Sequence, residues 1–99
     1  MTVKKIQKKV ANMHVVIYKE GKQFVAHSPS IALATCGDSR EDAIRMFDEA
    51  AGIFFEELAR MGTLDKELTR LGWVKTSKEG WEPPLVVASE LRPAKIRYA

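Results

Sequence analysis

The sequence has little of what disulfide-stabilised, secreted or membrane-spanning proteins need. Its 99 residues include a single cysteine, Cys36, which has no partner for an internal disulfide. The unbroken apolar runs are far shorter than the roughly 20 residues that cross a bilayer. The N-terminus lacks the apolar core of a secretion signal. We therefore expect a cytoplasmic protein without a membrane segment, and a chain of this length forms one domain.

The sequence also lacks the clustered side chains on which catalysis depends. The first predicted strand, Met13 to Tyr18, offers no carboxylate to hold a divalent cation. A nucleophilic mechanism would require Cys36 beside His14 or His27, together with a third group that orients the histidine. The same three residues fall short of a complete zinc ligand set. We expect no enzyme activity, no cofactor and no metal site.

Positive charge is concentrated near the N-terminus, although the net charge is only +3. The basic residues in the first ten positions are Lys4, Lys5, Lys8 and Lys9. We interpret residues 1–12 as a solvated basic arm. The alternative is weak nucleic-acid contact through these lysines, supported by the basic residues near the other end, which are Arg92, Lys95 and Arg97. Because no aromatic residue lies among the N-terminal lysines to stack on bases, we do not favour nucleic-acid binding.

Alternating apolar residues predict an antiparallel hairpin from Met13–Tyr18 and Gln23–His27, with the turn at residues 19–22. If Lys19 lies opposite Lys22, the core face receives the pairs Ile17 with Phe24 and Val15 with Ala26. The other face then receives the pairs His14 with His27, Val16 with Val25, and Tyr18 with Gln23.

That second face is unusually apolar for a surface in contact with water. Its candidate partner-binding or oligomer-interface residues are His14, Val16, Tyr18, Val25 and His27. Exposed apolar patches of this kind mark contact surfaces, so we expect something to cover the face. The candidates are the C-terminal segment, a second copy of the chain in a dimer or tetramer, and a foreign protein.

The remaining pattern predicts an α+β fold. Ile31 to Cys36 is expected to form a third strand. A Gly-Asp-Ser corner at 37–39, in which Gly37 permits a tight turn and Ser39 caps free N–H groups of the helix, leads into an amphipathic helix from Arg40 to Met61. Gly62 ends that helix, and a short second helix follows and stops at Gly72. Residues 73–75 predict one more strand, giving a β-β-β-α-β unit in which an antiparallel sheet packs on one long helix. Residues 76–99 are a C-terminal extension, whose last stretch is either an edge strand or an arm that reaches a neighbour.

Part of this sequence resembles the HicB-like antitoxin family. The segments Ser28-Pro29-Ser30-Ile31, Thr35-Cys36-Gly37-Asp38-Ser39 and Glu41-Asp42-Ala43 are similar to the family's Pro-Glu-Leu, Gly-Asp-Thr/Ser and Glu-Glu-Ala pattern. The resemblance covers residues 13–75. It implies a partial ribonuclease H-like fold over a single HicB-like domain, a tendency to form homo-oligomers, and a non-catalytic role in blocking a small HicA-type toxin that cleaves messenger RNA.

The sequence departs from the family pattern in three places. Ser30 stands where the family often has glutamate, and Cys36 where it often has glutamine. The residues after Gly72 do not resemble a helix-turn-helix or a ribbon-helix-helix, so we expect a stand-alone short member that does not bind an operator. An orphan structural module that associates only with itself is the alternative function.

Overall fold

A computed structural model describes residues 11–78 and 80–98. In chain order, the described elements are β1 (Val16–Glu20), β2 (Gln23–Ser28), β3 (Leu33–Gly37), α1 (Arg40–Met61), α2 (Leu64–Arg70), β4 (Val74–Lys75) and β5 (Trp81–Glu82). The first three strands form an antiparallel sheet in the order β1-β2-β3, and β4 pairs with β5 in a small sheet of its own. The α+β class is confirmed, with the strand after the helices pairing outside the main sheet. The ribonuclease H-like relationship stays a prediction.

The hairpin register differs from the prediction by two residues. Ile17 lies opposite Ala26 and Lys19 opposite Phe24, so the loop is Gly21-Lys22 instead of Glu20-Gly21. The physical reason is the loop: Gly21 has a φ of 61°, and glycine accepts this conformation at the first position of a two-residue hairpin loop without strain. A shift of two leaves every side chain on its predicted face, because strand side chains alternate with a period of two.

The third strand begins later than predicted. Ile31 and Ala32 belong to the turn between β2 and β3, and the strand starts at Leu33, opposite Ser28. Ala32 has a positive φ of 52°, which takes it out of extended geometry. Ile31 nevertheless contributes to the core, where it is buried.

Helix α1 has the predicted bounds and the predicted caps. The Ser39 hydroxyl accepts a hydrogen bond from the Asp42 backbone N–H at 3.0 Å, which satisfies one of the donors that a helix start leaves free. At the other end, Gly62 takes the left-handed conformation, with its N–H donating to the Ala59 carbonyl and the Thr63 N–H to the Leu58 carbonyl. This is the Schellman arrangement that glycine favours after a helix.

The core lies between the sheet and the helices. Helix α1 packs mainly over β3 and β2, and α2 closes the end of this layer. The buried apolar residues of the cluster are Ala26, Ile31, Ala43, Phe47, Ala51, Leu68 and Trp73. The predicted core side of the hairpin is confirmed, since Met13, Val15, Ile17 and Phe24 all pack against this cluster.

Trp73 ties the second half of the chain to the sheet. Its indole N–H donates to the Ser30 carbonyl at 2.8 Å, across 43 positions of sequence. The indole ring also meets Phe55 edge to face, with ring centroids 5.8 Å apart. The turn between β2 and β3 is thereby held against the end of α1.

The C-terminal extension does not pack on this body over residues 85–98. Residues 83–98 form no helix or strand, and residues 85–98 are exposed along their whole length. The radius of gyration is 17.0 Å, whereas a compact chain of about 100 residues has one of about 13 Å. Neither of the described helices has an apolar stretch that would reach across a membrane.

Candidate protein-binding surface

The face of the main sheet that points away from α1 is the candidate site, and we name it the outer face. Pairing brings its residues into two neighbouring rows across the three strands. The rows are Val16, His27 and Ala34, and Tyr18, Val25 and Cys36. Beyond them, the Gln23 amide donates to an Asp38 carboxylate oxygen at 2.9 Å, which closes one end of the face with a polar contact.

Four of the five predicted interface residues lie together on this face. Val16 is 48% exposed and Tyr18 is 46% exposed, and the two side chains lie next to each other on the same side of β1. Val25, at the centre of the sheet, is 8% exposed, and His27 is half-buried beside it. The face is therefore apolar at its centre and along the β1 side.

The fifth candidate, His14, was predicted to lie opposite His27. This is wrong, because the two-residue register shift brings Val16 to that position and leaves His14 exposed before β1 begins. The two histidines are not cross-strand neighbours. Within residues 11–78 and 80–98, no three histidine, cysteine or acidic side chains converge as metal ligands.

Cys36 lies exposed on the outer face, opposite Val25. His27 lies opposite Ala34, so neither histidine directly faces the thiol. The arrangement that nucleophilic catalysis would require is a histidine hydrogen-bonded to the thiol and itself oriented by a third group. Cross-strand pairing does not supply it at Cys36.

Sequence reasoning placed Cys36 and Ala34 on a strand but missed that they extend the outer face. The signal was available in the alternation of β3, since Leu33 and Thr35 point toward the helix and their neighbours point away. What was missing was the pairing of β3 with β2, which puts those neighbours beside Val25 and His27.

The proposed covering of the outer face by the C-terminal segment is not observed. Residues 85–98 are exposed themselves, so they bury no apolar surface against the sheet. The basic residues Arg92, Lys95 and Arg97 lie on this exposed stretch. The other nucleic-acid candidates, Lys4, Lys5, Lys8 and Lys9, lie outside the described residues.

The acidic residues of α1 belong to a different surface. Helix α1 packs on the opposite side of the sheet, so its exposed acids, among them Glu56 and Glu57, face away from the outer face. Glu57 is also paired with Arg60 at 2.6 Å. A small partner seated on the outer face therefore does not reach these acids.

The corner between β3 and α1 carries the main electrostatic feature next to the site. The Arg45 guanidinium donates to Asp42 at 2.6 Å, and the Asp38 backbone N–H donates to the other carboxylate oxygen at 3.3 Å. These bonds, the arginine first, hold the pKa of Asp42 below the ordinary value of an aspartate. The carboxylate stays ionised at neutral pH and fixes the corner that leads from the outer face to the helix.

A second apolar feature lies along the free side of β1, and we name it the edge groove. Because α1 covers β2 and β3 more than β1, the inner side chain of Ile17 on β1 stays half-buried and that of Lys19 is exposed. The groove encloses about 470 Å³ and is lined by Val15, Ile17, Tyr18, Lys19, Phe24 and Arg40. The Lys19 ammonium lies 5.4 Å from the centre of the Phe24 ring. Sequence reasoning did not find this groove, because it depends on where the helix ends relative to the sheet.

In comparisons with known proteins, no family model matches the chain, and no curated protein or solved structure matches it significantly. The resemblance to HicB-like antitoxins therefore stays a prediction from the segments between residues 28 and 43.

Proposed function

We propose that this protein is a non-catalytic protein-binding module that takes up a partner on its outer face. The observation that carries the proposal is the exposed apolar surface along the β1 side of that face, where Val16 and Tyr18 lie beside the buried Val25. Exposed contiguous apolar surface on a small protein is a mark of a contact site. Tyrosine adds to this, since its large, rigid side chain is enriched among residues that dominate binding energy.

The identity of the partner is proposed from the resemblance. HicB-like antitoxins bind a small HicA-type ribonuclease, and the Gly37-Asp38-Ser39 corner with its acidic first helical turn is the part of this chain most similar to them. We infer that the partner is a small messenger-RNA-cleaving toxin and that binding blocks its activity.

The test uses full-length protein and a purified HicA-type ribonuclease encoded beside its gene. We expect a direct complex in calorimetry and suppression of RNA cleavage as the complex forms. Val16→Lys places an ammonium at the apolar face and should weaken binding by at least about tenfold. Val16 is about half exposed on an edge strand, so thermal unfolding should change little.

The matched control is Val74→Lys, which makes the same substitution at an exposed strand valine outside the outer face. It should bind and inhibit as the wild type does. Equal losses in both variants, or full-length protein that neither binds nor inhibits the ribonuclease, would contradict the proposal.

A further inference from the structure

The exposed apolar surface of the main sheet is concentrated on its free edge strand, β1. Val25, which has a strand on either side, is 8% exposed. Tyr18 lies opposite Val25 in the same row but is 46% exposed, and Val16 on the same strand is 48% exposed. In the described residues β1 pairs with β2 on one side only. A strand added on the free side would therefore cover the surface that β1 leaves open.

The backbone of β1 can accept such a strand. The two-residue loop is closed by the hydrogen-bonded pair of Glu20 and Gln23, so the even-numbered residues of β1 bond to β2. The N–H and C=O groups of Ile17 and Lys19 consequently point to the free side. Residues 16–20 contain no proline, and their pairing with β2 continues without a bulge.

The one cation of β1 does not protect this edge. Lys19 lies on the inner side of the sheet, and its ammonium lies 5.4 Å from the centre of the Phe24 ring on β2. The lysine side chain thus leans away from the free side. Charged side chains commonly protect edge strands against pairing, and here the charge is turned toward the neighbouring strand.

We propose that β1 pairs antiparallel with β1 of a second copy of this chain, with Ile17 opposite Ile17 on a two-fold axis. The occupant is a second copy because β1 is complementary to itself in this register. Val16 lies opposite Tyr18 of the second copy, an apolar pair of the kind that stabilises neighbouring strands. His14 lies opposite Glu20, so an imidazole meets a carboxylate. Each pair occurs twice, as a two-fold axis requires.

The extended part of the chain is long enough for this ladder. The residues that pack against the core cluster alternate before and within β1, and they are Met13, Val15 and Ile17. This alternation continues the strand geometry back to residue 13. His14 therefore lies on the outer side with Val16, and it is exposed. The ladder uses residues 14–20 of both copies.

Repulsion between the two Lys19 side chains disfavours a ladder centred on Tyr18. In that register the lysines lie about 7 Å apart along the strands. In the register centred on Ile17 they lie about 14 Å apart, which exceeds the Debye length of about 8 Å at physiological salt.

The charge pair disfavours a shift in the other direction. In a ladder centred on Val16, Glu20 lies opposite Asn12, and His14 no longer meets a carboxylate. The register centred on Ile17 is therefore the one that separates the lysines and also pairs the carboxylate.

The dimer joins two three-stranded sheets into one sheet of six strands, with both long helices on one side. Both outer faces lie on the other side, where Val16 and Tyr18 of the two copies form one apolar strip across the joint. The pairing uses the strand edge and leaves the outer faces open, so it does not depend on the proposed ribonuclease partner.

The test is the mass of the full-length protein in solution, measured by sedimentation equilibrium from micromolar to millimolar concentration. We expect a monomer–dimer equilibrium that reaches twice the chain mass. Tyr18→Asp places two carboxylates about 7–8 Å apart across the joint and should raise the dimer dissociation constant at least about tenfold.

Ala34→Asp is the matched control. Ala34 is exposed on the outer face but lies on β3, away from the joint, so this variant should dimerise as the wild type does. Tyr18 and Ala34 are both exposed in the single chain, and circular dichroism should show folded protein for both variants.

Charge exchange tests the register. Glu20→Lys and His14→Glu should each raise the dissociation constant by about two- to fivefold, because each leaves two like groups facing each other. The double variant should recover most of the loss, since each new lysine then faces a new glutamate. Both positions are exposed, so these variants test the pairing without disturbing the core.

A wild type that stays monomeric at millimolar concentration would overturn the proposal. A dimer that Tyr18→Asp leaves intact would also overturn it. So would a dimer that Ala34→Asp dissociates equally, because the outer faces would then stack on each other. A double variant that shows the summed losses of the two single variants would overturn the register.

Discussion

At the scale of single residues, Gly37 decides how closely the sheet and the long helix approach. A Cβ at this position would lie 2.7 Å from the Ala43 backbone nitrogen and 3.0 Å from the Asp42 carbonyl carbon. Its φ is not in the left-handed region. Glycine is therefore required for space, whereas the sequence indicated only that it permits a tight turn.

Gly37→Ala should consequently destabilise the protein by about 1–3 kcal/mol, because the atoms in the way are backbone and cannot move cheaply. The control is Gly52→Ala on the exposed side of α1, where nothing lies within 4 Å of the added Cβ. This variant should gain about 0.8–1 kcal/mol, since alanine is the better helix former. Urea unfolding followed by circular dichroism measures both. Similar effects in the two variants would contradict the close approach at Gly37.

At the scale of elements, the start of α1 combines a cap with a charge. The serine hydroxyl binds the Asp42 N–H as the capping motif predicts, but the Asp42 carboxylate reaches the N–H of Asp38 and not that of Ser39 itself. The reciprocal bond thus spans one residue more than in a capping box. It closes the corner between β3 and α1 and stabilises the end of both elements.

This arrangement predicts a loss of stability in acid. Because the pKa of Asp42 is lower in the folded protein than in the unfolded chain, the carboxylate contributes its full stability above the unfolded value of about 3.9. The contribution disappears as the pH falls through the folded pKa. Glu67 contributes to the same loss of stability in acid, because its hydrogen bond with Arg70 lowers its pKa as well.

Asp42→Asn should flatten the fall of the melting temperature below about pH 4, while lowering stability at neutral pH. Melting followed by circular dichroism between about pH 2 and 7 shows both effects. Asp48→Asn removes one charge from the same helix outside the corner and separates loss of the corner from the change in net charge. If the melting temperature falls equally with decreasing pH in wild type and Asp42→Asn, the corner does not cause the loss of stability in acid.

At the scale of the whole molecule, one long-range contact joins the two halves of the chain. Trp73 is buried, and its hydrogen bond to the Ser30 carbonyl links the region after α2 to the turn between β2 and β3. Without this link, β4 and β5 would be attached to the body mainly through α2. Ser30, whose carbonyl accepts this hydrogen bond, is also one of the positions at which the sequence departs from the HicB-like pattern, and it is buried.

Trp73→Phe should lower the free energy of unfolding by about 1–3 kcal/mol. It leaves the Ser30 carbonyl without this donor and replaces the indole by a smaller ring in a packed site. Trp81→Phe is the control, because Trp81 is half-buried at the edge of the core. Its effect on the free energy of unfolding in urea should be the smaller of the two. A larger effect at Trp81 would show that the small sheet, and not the Ser30 contact, holds this end of the molecule.

The sequence by itself determined the local features of this protein. The helix bounds at Arg40 and Met61, the Ser39 cap, the Gly62 stop and the core side of the hairpin all follow from periodicity and cap chemistry, which act within a few residues. Only the tertiary structure decided the hairpin register, the link from Trp73 to Ser30, the edge groove and the exposed course of residues 85–98. The apolar pattern could not decide the hairpin register, because a shift of two residues keeps every side chain on the same face. The other three features could not be predicted from local patterns, because they depend on contacts between elements that are far apart in the chain.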